Sequence, residues 1–241
     1  MNIEFEKVTE CPNCNSNKFH IIGSVKQYEY EVNYAECHEC SLVFQTTRIK
    51  DTDEYYRKYY RKLLFNDERP IKTELLFQWN RAELISTYLL KNIEHIDSCL
   101  DIGCSSGVLL DMLRDLYKCE VEGVELDVEY SSFARETYKL NIYETLDEIN
   151  RQYDLITLVH VLEHYKNPHA LLDRCKELLL NDGLLYIQVP DILYKHNSTF
   201  NLHHTMAFNR KSLNNMLERA GWVVLADIKP CEHISVICEK L

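Results

Sequence analysis

Short apolar runs alternate with longer amphipathic stretches from about residue 97 to the end of the chain. The runs have the length and the β-branched residues of buried strands, and they predict strands over 98–102, 120–125, 141–143, 154–159, 184–189, 223–228 and 233–238. We expect a helix between each successive pair of the first six strands. This alternation predicts an α/β fold with a doubly wound parallel sheet of seven strands. Because only residues 229–232 separate the last two strands, the final strand is expected to be antiparallel.

The stretch from 51 to 94 has apolar and aromatic residues at spacings of three and four, which predicts helices rather than strands. Pro70 is expected to separate two of these helices. Basic residues interleave with the tyrosines of 55–60 and indicate either a solvated helix face or the lining of a site: Arg57, Lys58, Arg61 and Lys62. We expect most of the tyrosines to pack in the core, with a lid over a bound ligand as the alternative.

Two Cys-x-x-Cys pairs form the clearest metal motif: Cys11 with Cys14, and Cys37 with Cys40, separated by a strand-like segment over 18–34. Four thiolates at this spacing are typical of a closed tetrahedral zinc site, which stabilises a fold and leaves no open position for catalysis. His38 is an alternative ligand. Because residues 1–47 are too few for a good core, we predict a zinc-ribbon module whose order depends on the metal.

Charge and composition narrow the possible partners. The 241 residues have a formal net charge of -11, and the cysteine-containing segment is itself acidic, so a surface that follows nucleic-acid phosphates is not expected. The chain has no long apolar run and no leader-like N-terminus, which predicts a cytoplasmic protein without a membrane segment. Its 10 cysteines are then expected to be reduced.

A glycine-containing turn follows the first strand of the predicted sheet. The sequence Leu-Asp-Ile-Gly-Cys-Ser-Ser-Gly over residues 100–107 has the pattern of a strand end, a tight turn and a helix start, where α/β proteins hold nucleotide-like ligands. Gly103 and Gly107 let the backbone approach a ligand, and Asp101 can accept hydrogen bonds from a cationic or hydroxylated group. Alone, this turn does not identify its ligand.

Three further stretches complete a recognisable set: Gly-Val-Glu-Leu-Asp at 123–127, the run from Tyr-Asp-Leu to Leu-Glu-His at 153–164, and Asp-Gly to Val-Pro at 182–190. With them, the region from about residue 98 resembles class I S-adenosylmethionine-dependent methyltransferases, which have a Rossmann-like sheet. The resemblance implies S-adenosylmethionine as cofactor. The binding residues it implies are Asp101, Gly103, Ser105 and Gly107 for the amino acid part, Glu125 with its neighbour Leu126 for the ribose, Thr145 and Leu146 for the adenine, and His160 at the methyl-donor pocket.

The cysteine module beside such a domain resembles bacterial enzymes that methylate sugars in polysaccharide and secondary-metabolite pathways. In those enzymes a Glu-His pair before the next helix is associated with proton abstraction; here His204 matches the histidine and His203 replaces the glutamate. This departure argues against C-methylation, and the Asn-Pro-Pro-aromatic tetrad that receives amines is missing from the sequence. The favoured reaction is therefore O-methylation of a small, carbohydrate-like or nucleotide-linked acceptor.

Histidine suits removal of a hydroxyl proton because its unperturbed pKa is near neutral. His204 is the first candidate for the base and His164 the second, while His203 either orients His204 or contacts the acceptor. Glu163 and His164 have an alternative role in capping the following helix and closing the cofactor pocket. The expected organisation is a zinc-ribbon module over 1–47, a helical linker or lid over 48–96 and a methyltransferase domain over 97–241.

Two alternatives from other functional classes stay open at this point. The zinc module can be the recognition element of an RNA or protein methyltransferase, which retardation of nucleic acid in a low-salt gel supports. The domain can also bind S-adenosylmethionine without catalysis, in which case no acceptor yields S-adenosylhomocysteine.

Overall fold

The computed structural model describes residues 3–65, 67–194, 199–228 and 232–241. The chain divides into two compact units. The first unit comprises Met1–Asp51, His160–Glu177 and Tyr186–Leu241, and the second unit comprises Thr52–Val159 and Leu178–Leu185. Each unit is therefore assembled from segments that are distant in the sequence. Among the described residues, every helix is too short or too polar to span a lipid bilayer.

The N-terminal segment of the first unit consists of five strands: β1 (Phe5–Lys7), β2 (Phe19–Gln27), β3 (Tyr30–Cys37), β4 (Val43–Gln45) and β5 (Thr47–Ile49). β2 and β3 form an antiparallel hairpin between the cysteine pairs, where the sequence predicts one strand-like segment over 18–34. The chain reverses at Tyr28, whose φ of 57° lies in the left-handed region. Because this turn contains no glycine, the sequence does not mark it, and the apolar pattern alone predicts a single segment.

The second unit begins with three helices, α1 (Thr52–Lys58), α2 (Tyr60–Phe65) and α3 (Lys72–Asn92). Pro70 lies in the break between α2 and α3, as predicted. Strands and helices then follow as β6 (Ser98–Ile102), α4 (Val108–Tyr117), β7 (Glu120–Val124), α5 (Val128–Tyr138), β8 (Asn141–Tyr143) and β9 (Tyr153–Val159). β6 is parallel to both β7 and β9, and β7 is parallel to β8.

The connection between β8 and β9 differs from the prediction of a helix, because it contains only a single 3-10 turn over Leu146–Glu148. Glu148 Oε1 accepts hydrogen bonds from the amides of Glu144 at 3.0 Å and Thr145 at 2.9 Å. These bonds satisfy backbone donors at the start of the turn. The connection is too short to contain a helix of several turns. The predicted alternation of strands and helices therefore does not hold between β8 and β9.

The remaining elements are α6 (Pro168–Leu178), β10 (Leu179–Pro190), β11 (Met206–Ala207), α7 (Arg210–Arg219), β12 (Trp222–Ile228) and β13 (His233–Lys240). The strand order of the seven-stranded sheet is β12-β13-β10-β9-β6-β7-β8. β12 and β13 are antiparallel, so the predicted α/β sheet with an antiparallel last strand is confirmed. β10 begins at Leu179 rather than at residue 184, since the chain is already extended through Gly183.

A smaller sheet in the first unit has the order β11-β4-β3-β2. Its edge strand β11 comes from far along the chain, and Met206 and Ala207 pair with Phe44 and Val43. All four side chains are buried. The cysteine-containing segment thus shares apolar packing with residues beyond 200 and does not depend on its own short core alone.

Candidate functional site

The glycine turn lies in the second unit, between β6 and α4. The amides of Gly103 and Cys104 donate to Val124 O at 2.8 and 3.0 Å, which ties the turn to the end of β7. Gly103 and Gly107 have positive φ values of 73° and 82°. At Gly107 a side chain is also excluded by space, because a Cβ atom would lie 2.6 Å from Leu140 Cδ1. Gly107 is therefore required by packing inside the protein, whereas Gly103 is exposed and offers bare backbone for the close approach of a ligand.

Asp101 is almost fully buried near the end of β6. Its Oδ1 atom accepts a hydrogen bond from Thr157 Oγ1 on β9 at 2.6 Å. Burial raises the pKa of Asp101 to about 7; the Thr157 hydroxyl opposes this shift, and the charge of Glu125 adds to it. A carboxyl group with this pKa can lose its proton when a cationic group binds beside it, because the cation stabilises the ionised form.

Glu125 follows the last residue of β7 and faces the glycine turn. Its Oε2 atom accepts a hydrogen bond from the amide of Ser105 at 2.8 Å, and Oε1 accepts one from the amide of Asp127 at 2.9 Å. Burial raises the pKa of Glu125, whereas the charge of Arg61 acts in the opposite direction. Two backbone donors fix the carboxylate, and its other lone pairs can still accept hydrogen bonds from hydroxyl groups.

Leu126, Thr145 and Leu146, the other residues implied for the cofactor in this unit, are half-buried. Leu126 is next to Glu125, and Thr145 precedes the 3-10 turn that follows β8. Because β7 and β8 are parallel neighbours, these residues lie beyond the carboxyl ends of adjacent strands. The amide of Glu125 donates to Tyr143 O at 3.0 Å, which holds the two strand ends together.

Sequence reasoning did not single out Arg61 as part of this cradle, although it belongs to the basic patch of α1 and α2. Its guanidinium group donates to Ser105 Oγ at 2.9 Å and to Glu74 Oε1 at 3.1 Å. The guanidinium also lies 4.1 Å from the centre of the Tyr130 ring. Gln78 Nε2 donates to Ser105 Oγ at 3.2 Å as well. The basic patch was the only signal, and it did not distinguish Arg61 from its exposed neighbours.

His160 belongs to the first unit, where it directly follows β9 in the chain. Its φ of 56° lies in the left-handed region, and its amide donates to Gln188 O at 2.8 Å. The imidazole packs edge-on against His233, with ring centres 4.7 Å apart. Its Nδ1 atom lies 3.3 Å from Glu163 Oε1. His160 is thus held by backbone contacts beside a buried carboxylate of its own unit.

His164 and His204 lie against each other in the first unit, with ring centres 4.7 Å apart and planes at 75°. His164 Nδ1 is 3.0 Å from His203 O, and His204 Nδ1 is 2.8 Å from Thr199 O. Since a carbonyl oxygen only accepts, we assign the proton to Nδ1 in both rings. Burial lowers the pKa of His164 to about 3 and also lowers that of His204. Both imidazoles are therefore neutral, with a lone pair on Nε2.

His203 is the third histidine of this group. Asn201 Oδ1 accepts from the amides of both His203 and His204, at 2.8 and 2.9 Å, and shapes the turn that contains them. Burial lowers the pKa of His203 to about 3, with a further contribution from His204. The predicted trio of histidines is thus brought together by one turn and by the carbonyl contact between His203 and His164.

The alternative role of Glu163 and His164 in capping α6 is not observed. Asn167 Oδ1 accepts a hydrogen bond from the amide of Ala170 at 3.1 Å, so Asn167 provides the capping oxygen. Asn167 directly precedes the helix, which is the position that favours such a side chain. Glu163 instead lies within a 3-10 turn, Leu162–His164, and its side chain is buried.

The four cysteines predicted to bind zinc form one cluster in the first unit. Cys11 Sγ is 3.5 Å from Cys40 Sγ, and Cys14 Sγ is 3.5 Å from Cys37 Sγ. All four sulfur atoms lie within 4.8 Å of one another. A tetrahedral zinc ion with ordinary zinc–sulfur distances places its ligands about 3.8 Å apart. The cluster is therefore compatible with a zinc ion in both donor chemistry and size.

Comparison with known proteins gives a consistent family assignment. Residues 50–227 match the model of a family described as a methyltransferase domain. The chain is 37% identical over 102 residues to a ubiquinone biosynthesis O-methyltransferase of Glaesserella parasuis, covering 36% of this chain and 43% of the relative. The chain spans about half the length of the curated relatives that it matches.

Solved structures agree with the observed sheet. One is an S-adenosylmethionine-dependent methyltransferase from Clostridium acetobutylicum, with a TM-score of 0.57, 14% identity, and coverage of 75% of this chain and 96% of the other. Another is an O-methyltransferase from neocarzinostatin biosynthesis in complex with S-adenosylmethionine and a naphthoic acid, with a TM-score of 0.54, 16% identity, and coverage of 70% and 59%. The chain belongs to the methyltransferase-domain family and has the fold of class I S-adenosylmethionine-dependent methyltransferases.

Proposed function

We propose that this chain transfers the methyl group of S-adenosylmethionine to a hydroxyl group of a small acceptor. The acceptor is carbohydrate-like or nucleotide-linked and belongs to a bacterial glycan or secondary-metabolite pathway. One observation carries the proposal: the buried carboxyl group of Asp101 and the half-buried carboxylate of Glu125 flank the glycine turn, and Glu125 accepts a hydrogen bond from the amide of Ser105. This combination suits a donor that has both an amino acid end and a ribose.

The cradle in the second unit supplies the contacts that the donor needs. Asp101 accepts hydrogen bonds from the ammonium group of the donor, and Glu125 accepts them from the ribose hydroxyls. The bare backbone of Gly103 to Gly107 admits the amino acid part. Thr145 and Leu146 receive the adenine, and His160 is assigned to the methyl-donor pocket by the family resemblance.

Three observations support a small acceptor that offers a hydroxyl group. The relatives include enzymes whose names specify small molecules, such as an O-methyltransferase seen with a naphthoic acid and a coclaurine N-methyltransferase. The net charge of -11 disfavours an extended nucleic-acid surface. The sequence also replaces the glutamate of the Glu-His pair by His203, which favours a hydroxyl acceptor over a carbon acid.

Methyl transfer from a sulfonium is an in-line displacement, so the protein must align the acceptor and remove its proton. In the proposed step, His204 Nε2 takes the proton of the acceptor hydroxyl. The hydroxyl oxygen forms the new bond to the methyl carbon, and the electron pair of the broken carbon–sulfur bond stays on sulfur. The neutral state of His204 in its buried environment suits this task. His164 is the second candidate, and His203 positions both.

A zinc ion bound by the four cysteines has a structural role in this proposal. Four thiolates saturate the ion, so it stabilises the surrounding fold and takes no part in methyl transfer. We therefore propose the segment 1–47 as a zinc-ribbon module, 48–96 as a helical linker or lid, and 97–241 as the segment that contains the donor cradle. The described structure adds that residues beyond 200 complete the small sheet of the module.

The decisive experiment is a screen for S-adenosylhomocysteine release with nucleotide-linked sugars, free sugars and phenolic metabolites as acceptors. We expect turnover with a hydroxyl acceptor, and calorimetry should show weaker S-adenosylmethionine binding for Asp101→Ala and Glu125→Ala. Asp115→Ala, an exposed carboxylate on α4, is the matched control. His204→Ala should lower turnover far more than donor affinity.

Two results would overturn the proposal. Unchanged donor affinity in both carboxylate variants removes the cradle assignment. If S-adenosylhomocysteine is released only with RNA or a protein substrate, the chain belongs to the first alternative class. If no acceptor yields S-adenosylhomocysteine, the chain belongs to the second class, which binds the donor without catalysis.

A further inference from the structure

The burial of the Glu163 carboxylate indicates that a cation binds beside it. Its side chain is 1% exposed, and within the described part of the chain neither carboxylate oxygen accepts a hydrogen bond. His160 Nδ1 lies 3.3 Å from Oε1. A buried carboxylate without hydrogen bonds is costly unless a positive charge compensates it.

Two histidine nitrogens face the same point as this carboxylate. One ligand atom each from Glu163, His164 and His204 lies within 4.8 Å of the other two. The Nδ1 atoms of both rings form hydrogen bonds with backbone carbonyl oxygens. We therefore take the Nε2 atoms, which carry a lone pair, as the ligand atoms. Neutral imidazoles with such lone pairs are the usual protein ligands of borderline metal ions.

The surroundings hold these three ligands in the way that metal sites require. Metal-binding histidines ordinarily donate their second ring nitrogen to a carbonyl or carboxylate, which fixes the ring orientation. His164 and His204 both do so, towards His203 O and Thr199 O. Thr205 Oγ1 lies 3.1 Å from Glu163 O and joins the turn that contains His204 to the turn that contains Glu163. Ligands from two distant parts of the sequence are thus locked into one arrangement within the first unit.

We propose that Glu163, His164 and His204 bind a divalent first-row transition metal ion. Two imidazoles and one carboxylate are typical ligands of Zn²⁺, Co²⁺, Fe²⁺ or Mn²⁺, whereas Mg²⁺ and Ca²⁺ prefer sites built only from oxygen ligands. Three protein ligands leave open coordination positions, unlike the closed set of four cysteines. The site is thus distinct from the cysteine cluster in both ligand chemistry and capacity for a further ligand.

The open positions give the ion a role in the proposed reaction, and this role rests on the proposed function. A hydroxyl oxygen that binds the ion has a lowered pKa, so it loses its proton more readily than a free hydroxyl. With the ion bound, His204 Nε2 would be a ligand and not the base; the hydroxyl proton would pass to solvent water, and the ion would replace His204 as the group that promotes proton loss. The acceptor class becomes more specific: it offers a hydroxyl group, alone or with a neighbouring oxygen, that can bind the ion.

Metal binding itself is tested without donor or acceptor. The purified chain, with its cysteine site as isolated, is titrated with Co²⁺ and followed by calorimetry and visible absorption. We expect one Co²⁺ per chain with weak d–d bands and no thiolate charge-transfer band, because the new site has no sulfur ligand. Glu163→Gln and His204→Ala should weaken this binding about tenfold or more.

The matched controls are Glu218→Gln on α7 and His95→Ala, both exposed positions outside the cluster. Circular dichroism shows whether each variant is folded. If Glu163→Gln does not fold, the Co²⁺ titration of the unaltered chain still shows whether the metal site exists. Two outcomes overturn the metal site. In the first, the unaltered chain binds no Co²⁺ ion that lacks sulfur ligands. In the second, the folded variants and the controls bind Co²⁺ with equal affinity. A positive titration together with no S-adenosylhomocysteine release from any acceptor overturns the proposed function alone.

Discussion

The hydroxyl oxygen of Tyr34 lies 2.7 Å from the carbonyl oxygen of His204, although 170 positions separate the two residues in the chain. Tyr34 is on β3, between the two cysteine pairs. The same oxygen is 2.7 Å from Asn201 O, and Gln45 Nε2 donates to it at 3.1 Å. Strands of the cysteine-containing segment thus hold the turn that bears His203 and His204. We infer that this segment helps to position the histidines.

Replacement of Tyr34 by phenylalanine tests this link. Tyr34→Phe keeps the buried ring but removes the hydroxyl and its single proton, which is placed between the carbonyl oxygens of Asn201 and His204. Asn201 O keeps the hydrogen bond from Gln45 Nε2 at 2.9 Å, so the loss falls mainly on His204 O. We expect the free energy of unfolding to fall by about 1–3 kcal/mol. The turnover number should fall more than donor affinity, because the cradle for the donor lies in the second unit. Urea unfolding, steady-state kinetics and calorimetry measure the three quantities.

Tyr30→Phe, on the same strand but only half-buried, is the control for this variant. Equal turnover of both variants would mean that the tyrosine hydroxyl does not position His204. A parallel loss of donor affinity in Tyr34→Phe would point instead to a general loss of structure.

Arg61 is the next residue to test, because its guanidinium group is fixed beside Ser105 at the glycine turn. The carboxylate of the donor is expected at this turn, and a planar guanidinium suits a carboxylate better than the point charge of lysine does. Arg61→Lys should therefore weaken S-adenosylmethionine binding about tenfold, or about 1.4 kcal/mol. Calorimetry measures this directly.

Arg57→Lys is a matched control on the neighbouring helix, where Arg57 forms an exposed ion pair with Glu144. We expect it to leave donor affinity within about twofold of the unaltered chain, since exposed ion pairs contribute little. If Arg61→Lys behaves like this control, Arg61 only stabilises α2 against Glu74.

Asp101 should show opposite effects on stability and on donor binding. Its pKa of about 7 means that the folded chain holds the proton at pH values where the unfolded chain has lost it. Ionisation therefore lowers the free energy of unfolding as pH rises from about 4 to about 7, and the loss persists above that range. Asp101→Asn removes the charge but can still accept from Thr157. It should raise the free energy of unfolding at pH 8 by roughly 2–4 kcal/mol and weaken donor binding.

Urea unfolding at pH 5 and pH 8 provides the check. The stabilisation by Asp101→Asn should be larger at pH 8, because the unaltered side chain is protonated at pH 5. Equal effects at the two pH values would show that Asp101 titrates normally in the folded chain. Asp115→Asn, which is exposed, should have little effect at either pH.

The sequence predicts the sheet well because each strand has a local signature. The apolar runs identify β6, β7, β8 and β9, and two glycines with a preceding aspartate identify the turn after β6. The positions of Asp101 and Glu125 follow from strand ends that lie side by side in a parallel sheet. Local pattern and topology are sufficient for this part of the candidate site.

Contacts between distant segments leave no such signature. β11 has only two residues, so no hydrophobic periodicity predicts that Met206 pairs with Phe44. Arg61 resembles its solvated neighbours in sequence, and only the packing of α2 brings it to Ser105. The Glu163-His164 pair is visible in the sequence, but the unsatisfied burial of Glu163 depends on the fold. Side-chain packing between remote segments decides these features, and single-sequence patterns do not contain it.

The pH dependence of the reaction separates the donor cradle from the histidine cluster. In the proposed cradle the ionised form of Asp101 binds the ammonium group of the donor, so apparent donor affinity should fall up to tenfold per pH unit below about pH 7. Burial lowers the pKa of His164 to about 3 and also lowers the pKa of His204, so both imidazoles take up a proton at a lower pH than a solvated histidine does. Between pH 8 and pH 6 the turnover number at saturating donor should therefore fall less than it would with a solvated histidine as base. Steady-state kinetics at several pH values measures both quantities, and Asp101→Asn should remove the pH dependence of donor affinity. A loss of turnover centred near pH 6.5 would instead identify an ordinary, solvated histidine as the base, outside the buried cluster.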